Sequence, residues 1–419
     1  MLSYDIVRDK KRFDVTVIGG GTAGVFAAIA AARTGAKTLL VEKNSMLGGT
    51  VTTALVDYPG LFFAWGKQII GGPCWEAIKR TEALGGADIP EISYKPKKHW
   101  HEQVKLNRAI YVHVLNEMCR EAGVCVVTGC MLSHAVEKED GVSLILTDKS
   151  GLFAVETGIA IDATGDANLV SMLGYPCEKG EELQPATLQN HISGYRAEDI
   201  SLEMLEKFMA ENTCPIDSPI TPKKLLHFLK IHKIDIHTPA PDADTSEGKT
   251  DTERRALADV IAVYQLLRRI PSLESLTLDW IAEETGIRET NRIVGETTVT
   301  AEDYIAGTRY PDSVAYAFYP IDLHVMNGIE QKFHAEEVVA KIPYRALIPK
   351  GSRRILTAGR CISSDRLANS GLRVEAPCMA MGQAVGCAAA LCVSKKVDVK
   401  KVSIEHLRHA LADLGAILP

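Results

Sequence analysis

The chain has 419 residues, of which 46% are hydrophobic and 24% charged, a composition typical of globular proteins and unlike that of disordered or fibrous chains. Its 47 basic and 53 acidic residues give a net charge of −6, which argues against a nucleic-acid partner or an anionic membrane surface. The length predicts about two or three lobes.

The lack of a recognisable targeting signal and the cysteine pattern both predict a reducing compartment. No apolar run approaches the ~20 residues that span a bilayer, and the N-terminal MLSYDIVRDKKRFD lacks the apolar stretch of a secretion signal. The ten cysteines include no CxxC pair, so we expect reduced packing residues and neither a disulfide framework nor a zinc site. We therefore expect a cytoplasmic protein with no membrane partner.

The first elements of the chain predict a dinucleotide-binding unit. A β-branched strand at 15–18 is followed by the turn GGGTAG, the small-residue helix VFAAIAAARTG and a second strand at 37–42. In the pattern Gly19-x-Gly21-x-x-Gly24, the glycines permit a tight turn, close approach of a pyrophosphate, and close helix packing. Glu42 ends the second strand, where a carboxylate binds ribose hydroxyls and disfavours NADP. The alternative is a tight glycine turn without a ligand.

Later segments favour FAD over NAD. The pair Gly48-Gly49 lies just after the second strand, where FAD enzymes bring the chain close to the diphosphate and ribityl. The turn Ala163-Thr164-Gly165 and a late strand that ends at Gly359 would complete a wall around an elongated ligand. No second GxGxxG follows a strand, so we expect no separate NAD(P)H domain.

The remaining pattern predicts an α/β fold, in which a discontinuous Rossmann-type FAD-binding domain carries an inserted α+β substrate domain. We assign 1–60, 103–175 and 342–396 to the FAD-binding domain, 61–102 and 176–341 to the substrate or cap domain, and 397–419 to a C-terminal helical tail. Within the insertion, apolar spacing predicts two helices, over 256–270 and 273–286.

The chain resembles the FAD-dependent oxidoreductase family related to the flavoprotein subunits of succinate dehydrogenase and fumarate reductase. The matching segments, in family order, are VIGGGTAGVFAAIAAARTGAKTLLVEK with LGGT, IDATGDANL, GIRETNRIVGE, YPIDLH and AGRCISSDRLANSGLRVEAPCMAMGQAVGCAAAL. The resemblance implies extended FAD with the Arg373-Val374-Glu375 turn beneath the pyrimidine edge of the flavin. Glu375 stands where many relatives have glutamine. Arg373 would stabilise anionic reduced flavin, or form a structural ion pair.

Two absences near the second glycine pair refine this expectation. No histidine of the kind that carries covalent FAD adjoins it, so we expect noncovalent FAD, and no paired cysteines follow it, so dithiol relay chemistry is not expected. The expected cofactor-binding residues are Gly19, Gly21, Thr22, Ala23, Gly24, Glu42, Lys43, Gly48, Gly49, Thr50, Met131, Ala163, Thr164, Gly165, Gly359, Arg360, Arg373, Val374 and Glu375.

Arginines and histidines of the insertion are the candidate catalytic residues, because hydride transfer at flavin N5 requires charge neutralisation and proton transfer. Arg288 and Arg292 are four apart, on one face if helical, and would form a carboxylate clamp. The alternative is that they pair with Glu284, Glu289 or Glu296.

Two histidines are candidates for proton transfer. His324 in PIDLH would be the proton-transferring imidazole, against a structural histidine. His191 in LQNHISG would lie on a strand that faces the flavin, against a core position. The segment His99-Trp100-His101-Glu102 lacks a third ligand of suitable spacing, so we expect a surface loop and no metal.

The expected function is an FAD-dependent oxidoreductase that transfers hydride between flavin N5 and a small polar organic substrate, as a dehydrogenase or an enoate reductase. The alternatives are a flavin monooxygenase, a tRNA-modifying flavoprotein, or a non-catalytic FAD-binding interaction protein. The sequence does not predict the oligomeric state.

Overall fold

The computed structural model describes residues 8–94, 99–214, 216–326 and 328–419. Its strands are β1 (Arg8–Ile18), β2 (Thr38–Val41), β3 (Phe63–Ala64), β4 (Lys67–Gln68), β5 (Ala87–Asp88), β6 (Lys105–Leu106), β7 (Cys125–Val127), β8 (Met131–Lys138), β9 (Gly141–Asp148), β10 (Gly151–Asp162), β11 (Cys177–Glu178), β12 (Asn190–Ser193), β13 (Thr277–Ile281), β14 (Arg292–Ile293), β15 (Ser313–Ala317), β16 (Ile321–Val325), β17 (Gly328–Lys332), β18 (Ala340–Pro343) and β19 (Ile355–Thr357). The α-helices are α1 (Thr22–Arg33), α2 (Pro73–Ala83), α3 (Arg108–Glu121), α4 (Asn168–Met172), α5 (Leu202–Glu211), α6 (Pro222–Ile231), α7 (Ser246–Leu267), α8 (Ala301–Ala306), α9 (Arg366–Leu372), α10 (Glu375–Lys395) and α11 (Ile404–Asp413). Short 3₁₀ helices lie at Gly49–Val51, His99–Glu102, Ala197–Asp199, Tyr344–Leu347 and Val399–Lys401.

A seven-stranded sheet organises the fold in the order β7-β2-β1-β10-β9-β8, with β19 also paired to β10. Strand β1 runs parallel to β2 and β10, and β2 runs parallel to β7. The 12-residue β10 is long enough to pair antiparallel with β9 over 151–157 and parallel with β19 over 160–162. The parallel strands therefore end at one edge of the sheet, where ligands of open α/β folds bind. The predicted α/β, Rossmann-type fold is confirmed.

Helices α1 and α10 pack closely because small residues line their contact. A Cβ atom added at Gly382 would lie 2.1 Å from the Ala23 carbonyl oxygen, and one at Gly386 would lie 2.2 Å from that of Ala27. By length and composition α10 is apolar enough to cross a membrane, but 89% of its most apolar window is buried inside the protein. It is a core helix, and its apolar character reflects burial on all sides.

A second region contains α5, α6, α7 and the two-stranded sheet β12-β13, whose buried apolar side chains form their own core. The helix predicted over 256–270 falls in α7 up to Leu267, where α7 ends. The helix predicted over 273–286 is wrong, because residues 277–281 form β13. Leu278 pairs with Ile192 and Thr277 with Ser193 across the ladder. The partner strand thus overrides a local spacing that suited a helix.

The largest core joins segments that the sequence assigned to different domains. It contains α1 and α10 together with Phe62, Ile78, Val314 and Ile321 from the predicted cap segments. Helix α11 of the predicted tail also contributes buried leucines to it. The predicted domain boundaries stay a prediction, and packing is continuous across them.

Candidate functional site

The first glycine turn connects β1 to α1 with almost no free space at two of its three glycines. Gly19 has φ +102°, and a Cβ there would lie 2.4 Å from the Ala163 carbonyl oxygen. A Cβ at Gly24 would lie 1.7 Å from the carbonyl oxygen of Gly19. At Gly21 the nearest atom would be Gly49 Cα at 3.7 Å. Two glycines therefore enforce close packing, whereas a Cβ at the third would meet only an ordinary van der Waals contact beside the start of α1, where a diphosphate binds unpaired N–H groups.

The second glycine pair lies directly on the first turn. Gly48 N donates to the Gly20 carbonyl oxygen at 2.9 Å. Thr22 Oγ1 donates to the Gly48 carbonyl oxygen at 3.2 Å. A Cβ at Gly49 would lie 2.7 Å from Gly21 Cα. Thr50 follows in the 3₁₀ helix Gly49–Val51. Both loops thus line one concave surface, which we call the glycine cradle (19–24 and 48–50).

Glu42 connects the cradle to the end of β2. Its side chain is buried, and Oε2 accepts from Gly20 N at 2.6 Å while Oε1 accepts from Asn44 N at 2.7 Å. Burial raises the pKa of Glu42, and the two backbone donors oppose that effect. Each carboxylate oxygen has a second lone pair, so ribose hydroxyls can share it with the backbone. The adjacent Lys43 pairs with Glu284 at 2.7 Å.

The predicted wall forms at the ends of β10 and β19. Ala163 N donates to the Ile18 carbonyl oxygen at 2.8 Å, and Thr164 N donates to Asp162 Oδ1 at 3.0 Å. A Cβ at Gly359 would approach Ala23 Cβ to 3.2 Å.

Arg360 and Met131 occupy the two ends of this wall. Arg360 donates through Nε to the Gly165 carbonyl oxygen at 2.8 Å and forms an ion pair with Asp166. Arg360 therefore holds the 165–166 turn in place, and the sequence did not predict these contacts. Met131 begins β8 with a side chain that is 59% exposed, next to Cys130, whose N–H donates to the Glu42 carbonyl oxygen.

The start of α10 lies near the second half of the site. A Cβ at Gly60 would lie 2.3 Å from Val374 Cγ1, so this glycine allows Val374 to cover the loop. Ala376 N donates to the Pro59 carbonyl oxygen at 2.8 Å. Burial raises the pKa of Glu375 to about 7. A protonated Glu375 that donates a hydrogen bond, as a glutamine amide would, is therefore accessible near neutral pH.

Beside Arg373, side chains from several distant segments lie together in what we call the histidine–arginine cluster: Gln184, His237, Arg288, Asp322, His324 and Arg373. Arg288 acts on the other members through its charge, and its Nη1 donates to the Pro185 carbonyl oxygen at 2.7 Å and to Thr187 Oγ1 at 3.0 Å. Gln184 Oε1 accepts from His324 N and from Arg373 Nη2, each at 3.1 Å. His324 Nε2 lies 3.1 Å from Asp322 Oδ2, and His324 Nδ1 lies 3.2 Å from His237 Nε2. The cluster therefore combines proton-transferring groups with fixed cations.

Electrostatics in the cluster favour an anionic ligand. Burial, the largest cause, and the charge of Arg373 together lower the pKa of Arg288 to about 10. Burial also lowers the pKa of Arg373 and, to about 4, that of His324. Within the cluster, Asp322 is the carboxylate, and Arg288 and Arg373 are the two guanidinium groups. The positive charge therefore exceeds the negative charge by one. An entering carboxylate would offset this excess.

A cavity of about 400 Å³ reaches His324. It is lined by Glu182, Leu183, Pro185, Pro239, Ala240, Pro241, His324, Val325, Met326 and Arg366. Its walls are largely apolar, with a few polar groups, as is typical of small-molecule sites.

The structure brings together Arg288, His324 and Arg373, but it does not bring in Arg292. Residues 287–291 are not helical and Arg292 lies on β14, so the clamp predicted from helical spacing is wrong. Arg292 Nη1 pairs with Glu289 Oε1 at 2.8 Å, and Arg292 Nε donates to the Ser364 carbonyl oxygen at 3.0 Å. It ties loops together, as the alternative interpretation held.

His191 also lies outside the cluster. It is on β12, but its ring stacks on Trp280 and its Nδ1 lies 2.7 Å from Asp279 Oδ2 at a part-exposed position. The prediction that it faces the flavin is not supported by these contacts. Sequence reasoning missed Gln184, His237 and Asp322. Asp322 had a signal, because it is two residues before His324 on one strand and so shares its face.

The cysteines and the suspected metal segment contribute no site in the described part of the chain. All ten cysteines, which lie in that part, are free thiols. The side chains of His99 and Trp100 lie outside the described residues, and Glu102 accepts hydrogen bonds from Ser93. Among the described residues, no group of three or more His, Cys, Asp or Glu side chains is placed to hold a metal.

Comparisons with known proteins agree with the geometry of the cradle. The sequence model of the FAD dependent oxidoreductase family matches residues 14–411. Thiamine thiazole synthase of Methanococcus vannielii is 25% identical over 181 residues, which cover 41% of this chain and 63% of that protein. Mitochondrial dihydrolipoyl dehydrogenase of Mus musculus is 31% identical over 168 residues, which cover 36% of this chain and 30% of that protein. The chain thus spans less than two thirds of the length of these curated relatives.

Among solved structures, a geranylgeranyl bacteriochlorophyll reductase-like protein from Thermoplasma acidophilum has a TM-score of 0.46 at 13% identity, covering 97% of this chain and 84% of that one. The p-nitrophenol 4-monooxygenase of Pseudomonas putida has a TM-score of 0.45 at 11% identity, covering 96% and 85%. The match of the family model over nearly the whole chain shows that this protein belongs to the FAD-dependent oxidoreductase family and is an enzyme whose cofactor is FAD.

Proposed function

We propose that this enzyme transfers hydride between FAD and a small carboxylate-bearing organic molecule bound at the histidine–arginine cluster. The reaction is a dehydrogenation or, in reverse, the reduction of an enoate. The observation that carries the proposal is the position of Arg373. It belongs to the cluster and also directly precedes Val374 and Glu375 at the start of α10.

The chain offers a fitting set of groups for FAD. The side-chain-free backbone at Gly21 and the N–H groups at the start of α1 suit the diphosphate, and Glu42 suits the adenosine ribose. Arg373 and Glu375 suit the pyrimidine edge of the flavin. When bound, FAD supplies the centre that accepts or releases hydride. We further propose noncovalent binding and a relationship to the succinate dehydrogenase and fumarate reductase flavoproteins.

Two atoms without partners support a ligand at the cluster. No described residue is within hydrogen-bond reach of Gln184 Nε2 or of Arg373 Nε, although both atoms are buried. A buried donor without an acceptor costs about 1–3 kcal/mol. A substrate carboxylate that accepts from these donors would remove that cost. In this proposal Arg288 and Arg373 orient the carboxylate, and His324 holds or releases the proton that accompanies hydride transfer.

Anaerobic titration of the enzyme-bound flavin tests the proposal. We expect a small hydroxy acid to bleach the oxidised flavin, or an enoate to reoxidise the photoreduced flavin. Arg288→Met should weaken the affinity for that substrate by about 30-fold or more, because a buried charged partner is lost. The matched control is His191→Asn, at a part-exposed position outside the cluster, which should behave as wild type.

Two results would contradict the proposal. One is the failure of every carboxylate tested to change the flavin spectrum. The other is oxygen consumption driven by NADPH with an aromatic substrate, which would favour a monooxygenase.

A further inference from the structure

The two histidines of the cluster lie in a hydrogen-bonded chain between two oxygen atoms. His237 Nδ1 is 2.7 Å from the carbonyl oxygen of Val325, and His237 Nε2 is 3.2 Å from His324 Nδ1. His324 Nε2 is 3.1 Å from Asp322 Oδ2. The pair therefore makes three contacts in series, with an oxygen acceptor at each end.

The number of protons in this chain follows from the chemistry of imidazole. A neutral imidazole carries one N–H, whereas a carbonyl oxygen and an ionised carboxylate only accept. Burial raises the pKa of Asp322, but hydrogen bonds from His324 and Gln331 outweigh it and hold that pKa below its ordinary value, so Asp322 is ionised. Three hydrogen bonds need three protons, and two neutral histidines supply two. The chain is complete only when the pair carries one extra proton.

The surroundings of the pair oppose that extra proton while no ligand is bound. Burial is the largest cause that lowers the pKa of His324 to about 4, and Arg288 and Arg373 also lower it. Burial and Arg288 lower the pKa of His237 in the same way. The charged groups around the pair or in the adjoining cavity are Arg288, Arg373, Lys224 and Arg366 on the positive side, and Asp235, Asp322 and Glu182 on the negative side.

We propose that an anionic substrate enters this site together with one proton, which completes the hydrogen-bond chain of His237 and His324. The inference rests on the proposed function, because the anion binds beside the same two arginines. An anion there offsets the repulsion that these arginines exert on a protonated histidine pair. By linkage, the extra proton strengthens anion binding to the same extent. Because the pKa of His324 without ligand is about 4, carboxylate affinity should fall by about tenfold for each pH unit above about 4, for as long as the bound pair keeps the extra proton.

Calorimetry of the FAD-loaded enzyme with oxalate tests this coupling. The titration is done near neutral pH in two buffers of different ionisation enthalpy, PIPES and Tris. The difference between the two binding enthalpies, divided by the difference between the two buffer ionisation enthalpies, gives the number of protons exchanged on binding. We expect about one proton for each oxalate bound. An uptake near zero, with clear binding, overturns the inference.

Asp322→Asn gives a sharper test because it changes the proton count and keeps the shape. An asparagine amide can donate one N–H to His324 Nε2. The one N–H of each neutral histidine then completes the other two hydrogen bonds, and no extra proton is needed. We expect oxalate binding to persist in this variant while the linked proton uptake disappears. His191→Asn is the matched control, since it removes a part-exposed histidine that also contacts an aspartate, and its proton uptake should equal that of wild type.

The outcomes separate this inference from the function on which it rests. Absence of oxalate binding, together with a flavin that no carboxylate affects, would reject both. Binding and flavin chemistry without proton uptake would reject only the coupling. Proton uptake that persists in Asp322→Asn would also reject it, because the count that requires the extra proton would be wrong. If that variant does not fold, the wild-type result in two buffers still decides.

Discussion

The glycine cradle and the histidine–arginine cluster lie on the same chain but are built in opposite ways. The cradle comes from two short segments, and its shape depends on backbone atoms that approach too closely for any side chain. The cluster comes from residues between 184 and 373, and its properties depend on side-chain charges and protons. The cradle therefore tolerates few substitutions of any kind, whereas the cluster should tolerate substitutions that keep its hydrogen bonds and charges.

The largest effect on stability is expected next to the cluster, at a buried ion pair that only supports it. Glu289 has a fully buried side chain that pairs with Arg292 and lies 3.3 Å from Arg366. Arg292→Met would leave this carboxylate with too few partners and should cost about 3–5 kcal/mol in the free energy of unfolding. Urea denaturation measures the loss. Adding Glu289→Gln to the Arg292→Met variant should recover part of the lost stability, because no unpaired charge then remains.

A different outcome would support the carboxylate clamp that the sequence predicted for Arg292. If Arg292→Met unfolded like wild type but lost substrate binding, Arg292 would act on substrate, and the division between support and cluster would be wrong.

The cradle should show a separation between folding and cofactor binding. Gly24→Ala places a Cβ 1.7 Å from a backbone oxygen, so we expect a loss of about 3 kcal/mol in stability together with loss of flavin. Gly21→Ala meets nothing closer than 3.7 Å, so it should fold normally. The added methyl would still occupy the diphosphate approach and should weaken FAD affinity by at least about tenfold.

Unfolding midpoints and the ratio of bound flavin to protein measure these two effects. Full flavin content in Gly21→Ala would show that the diphosphate does not lie at this turn.

Glu375 allows a test with pH where the two regions meet. Its pKa is raised by burial from about 4.5 to about 7 in the folded protein, so wild type binds the proton more tightly when folded. The contribution of Glu375 to the free energy of unfolding therefore has its full value below about pH 4.5 and is lost as the pH rises through 7. Glu375→Gln has no charge to bury. It should exceed wild type by at most about 3 kcal/mol at about pH 8 and match it at low pH.

Urea midpoints across this pH range give the measurement. Glu405→Gln, at an exposed position at the start of α11, is the matched control and should show no such trend. Parallel profiles for Glu375→Gln and wild type would contradict the buried, proton-binding carboxyl.

The difference between the regions also explains which features the sequence could predict. The turn at Gly19 and Gly24 was predictable because the contact of Gly24 with the Gly19 carbonyl oxygen acts within a few residues and leaves a fixed spacing, although Gly19 is also limited by the distant Ala163. The pairing of His324 with His237 was not, because nothing in either local sequence indicates the other. Apolar spacing over 273–286 predicted a helix, but strand β12 supplied a partner that only the folded chain provides. Arg288 lies near His324 and Arg373 in the structure, but the helical spacing from which the sequence chose it is absent, and its role toward a substrate stays a prediction.

Lys43 should show the smallest effect of the residues discussed, although the sequence placed it in the cofactor site. Its side chain is about half exposed, and its ammonium pairs with Glu284 at 2.7 Å. Asn44 Nδ2 also donates to that carboxylate at 3.0 Å. Exposed pairs contribute about 0–1 kcal/mol and weaken in salt, so Lys43→Met should lower stability by less than about 1 kcal/mol. FAD affinity, measured by flavin fluorescence, should stay close to wild type. A salt-sensitive loss of more than about tenfold would instead mean that Lys43 contacts the adenosine half of the cofactor, and the cradle would then depend on a side-chain cation as the cluster does.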